Sequence, residues 1–197
     1  MSYIIGLTGP TGAGKSIFAS CAKELGFTVV DCDLCAREAV GKGMPALSAL
    51  TAVFGNEILS SDGELNRKKL SEKAFSSREN TELLNKAVFP FIREIVINKI
   101  KGEYVLLDAP TLFESGINEI CNTTAAVLAP AKTRLARIKQ RDCLNDTAAK
   151  MRMRAGKPDK FYREKAHRIF INSGNIDTFK KTVTIYLKSI IGGARDE

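Results

Sequence analysis

Gly9-Pro10-Thr11-Gly12-Ala13-Gly14-Lys15-Ser16 is the stretch from which the rest of the chain is read. Its spacing, G-x-x-x-x-G-K-[ST], is that of a phosphate-binding loop. It follows directly on an apolar run, Tyr3-Ile4-Ile5-Gly6-Leu7, and leads into a helix-like run from Ile17 to Leu25. Glycines let the backbone curl so that successive N–H groups converge on phosphate oxygens. The helix beginning near Gly14 adds its positive N-terminal end. In that setting Lys15 reaches the β- and γ-phosphates and the Ser16 hydroxyl can ligate Mg²⁺. A glycine-rich turn with a chance lysine would not account for the strand before it and the helix after it.

Outward from the loop, strands and helices alternate. Strands are expected at 3–8, 27–31, 104–108, 125–128 and 169–171, where β-branched and other apolar residues run together. Helices are expected at 14–25, 34–41, 45–54, 66–75, 79–101, 131–142, across the basic segment 146–166, and at 176–191. Gly26 ends the first helix. Pro90 should break or kink the helix over 79–101. Pro130 suits the first turn of the helix over 131–142. The segment 146–166 is interrupted by Gly156-Lys157-Pro158. Apolar strands separated by helices predict an α/β fold with a parallel sheet buried on both faces. Ligands of such folds bind beyond the carboxyl ends of the strands. That places the chemistry in the loop after the first strand, at Asp31 to Asp33, and at Asp108.

Composition narrows the class. The chain has 197 residues, 44% hydrophobic and 26% charged, ordinary for one globular domain. No apolar run approaches the ~20 residues that span a bilayer. The N-terminus shows no basic stretch followed by a long apolar core, so a cytoplasmic protein is the expectation. The five cysteines, an odd number, have no disulfide-scaffold spacing. Cys32 and Cys35 form a C-x-x-C, but neither Cys121 nor Cys143 supplies the second pair a zinc site wants; incidental thiols are the plainer reading. The single His167 leaves no room for His-based metal or triad chemistry. Of the net charge of +8, the segment 132–168 carries more than the whole, with thirteen Lys or Arg against four Asp or Glu. Such a patch suits polyphosphate ligands or nucleic acid. With little aromatic interleaving beyond Phe161 and Tyr162, nucleic acid is the weaker reading.

Phosphoryl transfer to a hydroxyl needs a group that orients the acceptor and takes its proton. Asp33, just past the second strand, is the first candidate; it is also suited to capping the helix near Leu34. Asp31 is its rival. Asp108 ends the third strand and either assists Mg²⁺ or caps a turn. Arg134, Arg137 and Arg141 share one helix face, where they either stabilise a transferring phosphoryl group or form a solvated basic surface. A guanine-reading Asn-Lys-x-Asp is missing: Asn85-Lys86 is followed by Ala87-Val88.

In order and spacing the residues resemble the dephospho-coenzyme A kinase family over nearly the whole chain. The resemblance rests on Gly6 to Ser16, Val30-Asp31-Cys32-Asp33 with Ala36-Arg37, Pro45-Ala46-Leu47, Phe54-Gly55 and Asp62 to Arg67. It continues through Leu107-Asp108-Ala109-Pro110-Thr111-Leu112-Phe113-Glu114-Ser115-Gly116, Arg137, Gln140-Arg141-Asp142 and Asn172-Ser173-Gly174. It implies a single domain with a three-layer P-loop NTPase core over about 1–33, 103–142 and 167–197. A helical acceptor-binding insert would span about 34–102 and a basic helical lid about 143–166. It implies phosphorylation of the ribose 3′-hydroxyl of dephospho-coenzyme A by ATP with Mg²⁺, the last step of coenzyme A synthesis. Another small-molecule or nucleotide kinase of similar core is the alternative. By the same resemblance the catalytic residues are Asp33 as general base, Lys15 and Arg141. ATP would be held by Gly9, Pro10, Thr11, Gly12, Ala13, Gly14, Lys15, Ser16, Ile17, Arg137 and Arg141. The acceptor would meet Asp33, Arg37, Asp108 and Leu112. Mg²⁺ would meet Ser16, with Asp108 as a second ligand. The chain departs from the family pattern at Phe89, where His is usual, at Gly156 and at His167. The change at Phe89 bears on acceptor affinity, not on reaction type.

Overall fold

The computed structural model describes residues 2–193. The chain forms two compact units, one of the residues up to Val30 together with those from Ile100 onward, the other Asp31–Lys99.

The first unit is built on the sheet. Strands β1 (Tyr3–Thr8), β2 (Thr28–Asp31), β3 (Tyr104–Asp108), β4 (Thr123–Leu128) and β5 (Arg168–Ile171) lie in the order β2-β3-β1-β4-β5. β1 pairs in parallel with both β3 and β4, and β4 with β5. β1 is therefore central, and its carboxyl end lies where successive crossovers diverge, the usual ligand position in open parallel sheets. Strand alternation explains the two buried faces. Ala125 and Val127 of β4 join Ile5, Leu7 and Leu106 beneath helices α1 (Lys15–Glu24) and α9 (Ile176–Gly193), with Phe18, Val183 and Leu187 closing that layer. Phe18 meets Phe170 edge-on at 5.1 Å and Phe170 meets Tyr186 at 5.0 Å. Ala126 and Leu128 face the other way, onto Tyr162.

Gly26 ends α1 as the sequence predicts. With φ at 84°, it donates its N–H to Lys23, while Phe27 donates to Ala22; these are the two bonds of a Schellman closure. The chain between β4 and β5 forms α6 (Ala131–Asp142), α7 (Asp146–Arg154) and α8 (Asp159–Lys165). Pro130 stands at the N-cap of α6, one residue ahead of its first turn. The basic segment is thus two helices, parted where Pro158 denies α7 a continuation.

The second unit is helical: α2 (Cys32–Ala39), α3 (Pro45–Phe54), α4 (Arg67–Ala74) and α5 (Arg78–Lys99), with α2, α3 and α4 each packed on α5. Val88, Ile92 and Val96 give α5 a buried stripe at helical spacing. Of the break or kink expected at Pro90, the break does not occur, because α5 runs through it as one helix. Proline removes a single N–H and kinks a helix without having to end it, and here the stripe that packs the helix continues on both sides. Cys32, Cys35 and Ala39 form the buried side of α2, which accounts for the C-x-x-C as packing. Burial pushes the Cys35 thiol up.

Candidate active site

The loop after β1 has the curl its sequence requires. Gly9, Gly12 and Gly14 adopt φ of 138°, 77° and 101°, conformations that side chains rarely tolerate. Each glycine is also needed for space. A Cβ on Gly9 would lie 2.2 Å from the Val127 carbonyl oxygen, and one on Gly12 would lie 2.8 Å from the Arg134 carbonyl oxygen. α1 then begins at Lys15 with Gly14 as its N-cap. No side chain caps it and no acid stands in its first turn. α3 and α6 also start without a cap or an acid; what sets α1 apart is the glycine curl that precedes it, and a curl leading into a helix N-terminus suits an anion. Lys15 donates Nζ to the Gly9 carbonyl at 3.0 Å, which draws the ammonium back over the loop. Ala13 is fully buried, whereas the Ser16 side chain begins the helix in an exposed position.

Asp108 reaches this end of the sheet through strand register. Leu7 is opposite Asp108, Ala109 donates to the Leu7 carbonyl at 2.9 Å, and the buried Thr8 hydroxyl donates to the Pro110 carbonyl at 3.1 Å. Leu112, four residues further on, is fully buried, and a Cβ on Gly6 would lie 2.8 Å from its methyl. Its side chain is packed against Gly6, so a role toward the acceptor would fall to its main chain.

The three arginines of α6 do not act as one face. Arg134 is nearly buried and pairs through Nη2 with Asp159 of α8 at 3.2 Å. Arg137 donates Nη1 to the carbonyls of Gly12 and Ala13, at 3.3 and 3.2 Å, and Nη2 to the Asn172 Oδ1 at 3.1 Å. Arg141 forms a two-pronged pair with its neighbour Asp142, Nε at 2.8 Å and Nη2 at 3.0 Å. Arg141 and, less strongly, Arg152 hold the Asp142 carboxyl below the usual range. Within the basic segment, α8 is anchored by Tyr162 against β4, and burial pushes that phenol up to about 12. α7 is linked to α6 by surface ion pairs, Lys139 with Asp146 at 2.5 Å and Arg152 with Asp142 at 2.9 Å.

In the second unit, the Asp31 carboxylate is the N-cap of α2, accepting from the N–H groups of Asp33 at 2.9 Å and Leu34 at 3.0 Å. The capping role weighed for Asp33 therefore belongs to Asp31. Asp33 is exposed in the first turn of α2, with Arg37 one turn further along the same exposed side. His167 accepts the Thr124 N–H at its Nδ1, a contact between strand ends.

Sequence reasoning did not single out Asn172 except as part of a pattern. Its side chain is fully buried and its Nδ2 donates to the Ala13 carbonyl at 2.9 Å. A polar residue directly after the apolar β5 and before a glycine was the available signal.

The model of the dephospho-CoA kinase family matches residues 3–178. The chain belongs to that family. The dephospho-CoA kinase of Enterococcus faecalis is 35% identical over 197 residues, covering 98% of this chain and 99% of its own length. A dephospho-CoA kinase domain-containing protein of Danio rerio is 37% identical, over 94% of this chain and 85% of its own length. Among solved structures, the Campylobacter jejuni dephospho-CoA kinase superposes with a TM-score of 0.71 at 25% identity, over 98% of this chain and 100% of that one. The crystal structure of TT1252 from Thermus thermophilus superposes with a TM-score of 0.79 at 28% identity, over 95% and 97%. A shikimate kinase of Acinetobacter baumannii, 16% identical with a TM-score of 0.54, shares the fold. The fold class is that of α/β P-loop kinases, with the sheet and its flanking helices as described. Like its family, the chain is a kinase that uses ATP to phosphorylate an alcohol group.

Proposed function

We propose that this dephospho-CoA kinase transfers the γ-phosphoryl group of ATP to the ribose 3′-hydroxyl of dephospho-coenzyme A, giving coenzyme A and ADP, with Asp33 as general base. The observation that carries the reading is the uncapped, acid-free start of α1 behind the glycine curl, in a chain whose relatives bear the name dephospho-CoA kinase. Residues Gly9 to Ile17 wrap the triphosphate, with main-chain N–H groups at the start of α1 as donors, and the Lys15 ammonium moves from the Gly9 carbonyl onto the β- and γ-phosphates. Arg141, exposed at the end of α6, meets the charge of the transferring group. Asp33 accepts the proton of the 3′-hydroxyl as the oxygen attacks phosphorus. Asp31, engaged by two N–H groups of its own helix, supports that assignment by being otherwise occupied. Arg37 and Asp108 serve the acceptor.

A hydroxyl at Ser16 and a carboxylate at Asp108, both on segments that leave the carboxyl end of the sheet's centre, are oxygen donors of the type Mg²⁺ takes. When bound, the ion offsets charge on the β- and γ-phosphate oxygens. The two compact units correspond in this reading to a core and an acceptor-binding insert, with α7 and α8 as the lid. The basic segment 132–168 raises the local concentration of both anionic substrates. Free thiols at all five cysteines suit a reducing cytoplasm.

The test is a panel of acceptors with γ-labelled ATP. Preferred labelling of dephospho-coenzyme A at the 3′ position is the expected result. Preferred labelling of AMP would assign the chain to a nucleotide kinase instead.

A further inference from the structure

Arg137 and Asn172 lie far apart in sequence and meet on one stretch of the phosphate-binding loop. Asn172 is fully buried. Its Nδ2 donates to the Ala13 carbonyl at 2.9 Å, and its main-chain N–H donates to the Leu128 carbonyl at 2.8 Å, which ties the end of β5 to the end of β4. Its Oδ1 accepts from Arg137 Nη2 at 3.1 Å. Arg137 turns its other nitrogen to the Gly12 and Ala13 carbonyls. The Asn172 amide is packed so close that a Cβ on Gly14 would lie 2.3 Å from its Nδ2.

These contacts have a consequence for the N–H side of the loop. A trans peptide points its N–H opposite its carbonyl, and no peptide among the described residues is cis. With the Ala13 carbonyl held by two side chains, the Gly14 N–H is turned away from them. The Gly12–Ala13 peptide is held too, its carbonyl by Arg137 and its own N–H by the Pro10 carbonyl at 3.2 Å. Without the two side chains, the curl would keep the Ala13 N–H to Pro10 and Lys15 to Gly9 bonds, but its glycines, with many accessible conformations, would make order entropically costlier.

We infer that Arg137 and Asn172 are positioning residues: together they brace the loop from its carbonyl side, setting its N–H groups for a polyphosphate before one arrives. Arg137 thus acts on ATP through the loop. Asn172, having no exposed surface, can act on a ligand only through the groups it holds. Preorganised donors bind an anion without the ordering cost that a loose loop would bear at the moment of binding. The inference rests on the reading that this loop holds the phosphates of ATP.

The experiment compares wild type with Arg137→Ala, Asn172→Ala, the double variant and the same-shaped Asn172→Asp, whose carboxylate would face the Ala13 carbonyl. A shared brace predicts that each single variant raises KM for ATP about tenfold and that the double variant is little worse than either, as for residues acting as one unit. KM for dephospho-coenzyme A stays at the wild-type value. Amide hydrogen exchange over residues 9–17 of the ligand-free protein speeds up about tenfold in Asn172→Asp, a readout that needs no nucleotide. A rise confined to Arg137→Ala, with Asn172→Ala and Asn172→Asp like wild type, would show direct contact of Arg137 with ATP and overturn the brace. So would fully multiplicative effects in the double variant, or unchanged exchange over 9–17. Failure of the ATP reading itself would look different: wild type would bind ATP, and Lys15→Ala would bind it equally well.

Discussion

Two junctions in this chain have the same outline, a parallel strand running straight into a helix, and opposite chemistry. At β1–α1 the helix starts on a glycine in the left-handed region, with no side-chain cap and no acid in its first turn. At β2–α2 the helix starts on Asp31, whose carboxylate takes the first N–H groups, and Asp33 adds a second negative charge in the first turn. The first junction leaves donors for a phosphate. The second fills them from within and is closed to anions by its own charge. Topology alone thus does not make an anion site, and neither does an unfilled first turn, which α3 and α6 share; the glycine curl ahead of α1 is the added element. The two aspartates differ likewise: Asp31 is the cap of α2, and Asp33, exposed in its first turn, is the general base proposed above.

The comparison can be broken most severely at Asp33. Asp33→Asn should lower turnover by about 10²- to 10⁴-fold, the range for losing a general base, while calorimetry shows ATP affinity unchanged. At the other junction, Lys15→Ala should cost about 10²- to 10³-fold in phosphoryl transfer, as expected for losing one electrostatic stabiliser, and should weaken ATP binding as well. Gly9→Ala meets both a positive φ and the Val127 carbonyl. It should destabilise the fold by about 2–4 kcal/mol in urea titrations, because the curl admits no side chain there. The smallest effect is the most discriminating. Asp31→Ala should cost about 1 kcal/mol of stability, the value of an N-cap, and leave turnover within a few-fold of wild type. Turnover that collapses in Asp31→Ala and survives in Asp33→Asn would exchange the two roles.

Much of this was legible in the sequence, for reasons that differ along the chain. The loop and all five strands follow from local pattern, since apolar runs and glycine spacing carry the geometry with them. Helix α3 likewise matches its expected span, 45–54. Which of Asp31 and Asp33 caps α2 was not legible. Either residue type caps well, and the choice depends on which one holds the extended φ and ψ of a cap, as Asp31 does. The helical spacing of Arg134, Arg137 and Arg141 correctly places them on one helix, but their partners Asp159, Asn172 and Asp142 come from three different places. Spacing along one helix says nothing about what stands opposite. Leu112 sits in a family-like stretch, and only the closeness of Gly6 shows that it packs inward. Asn172 was hidden for the same reason, because its purpose lies in a contact with Ala13, at the other end of the chain.

The most direct test is a crystal structure with a non-hydrolysable ATP analogue. The account predicts β- and γ-phosphate oxygens within hydrogen-bonding distance of main-chain N–H groups between Gly12 and Ile17, with the Lys15 ammonium moved off the Gly9 carbonyl onto them. A nucleotide bound elsewhere, with Lys15 still on Gly9 and the curl empty, would contradict it.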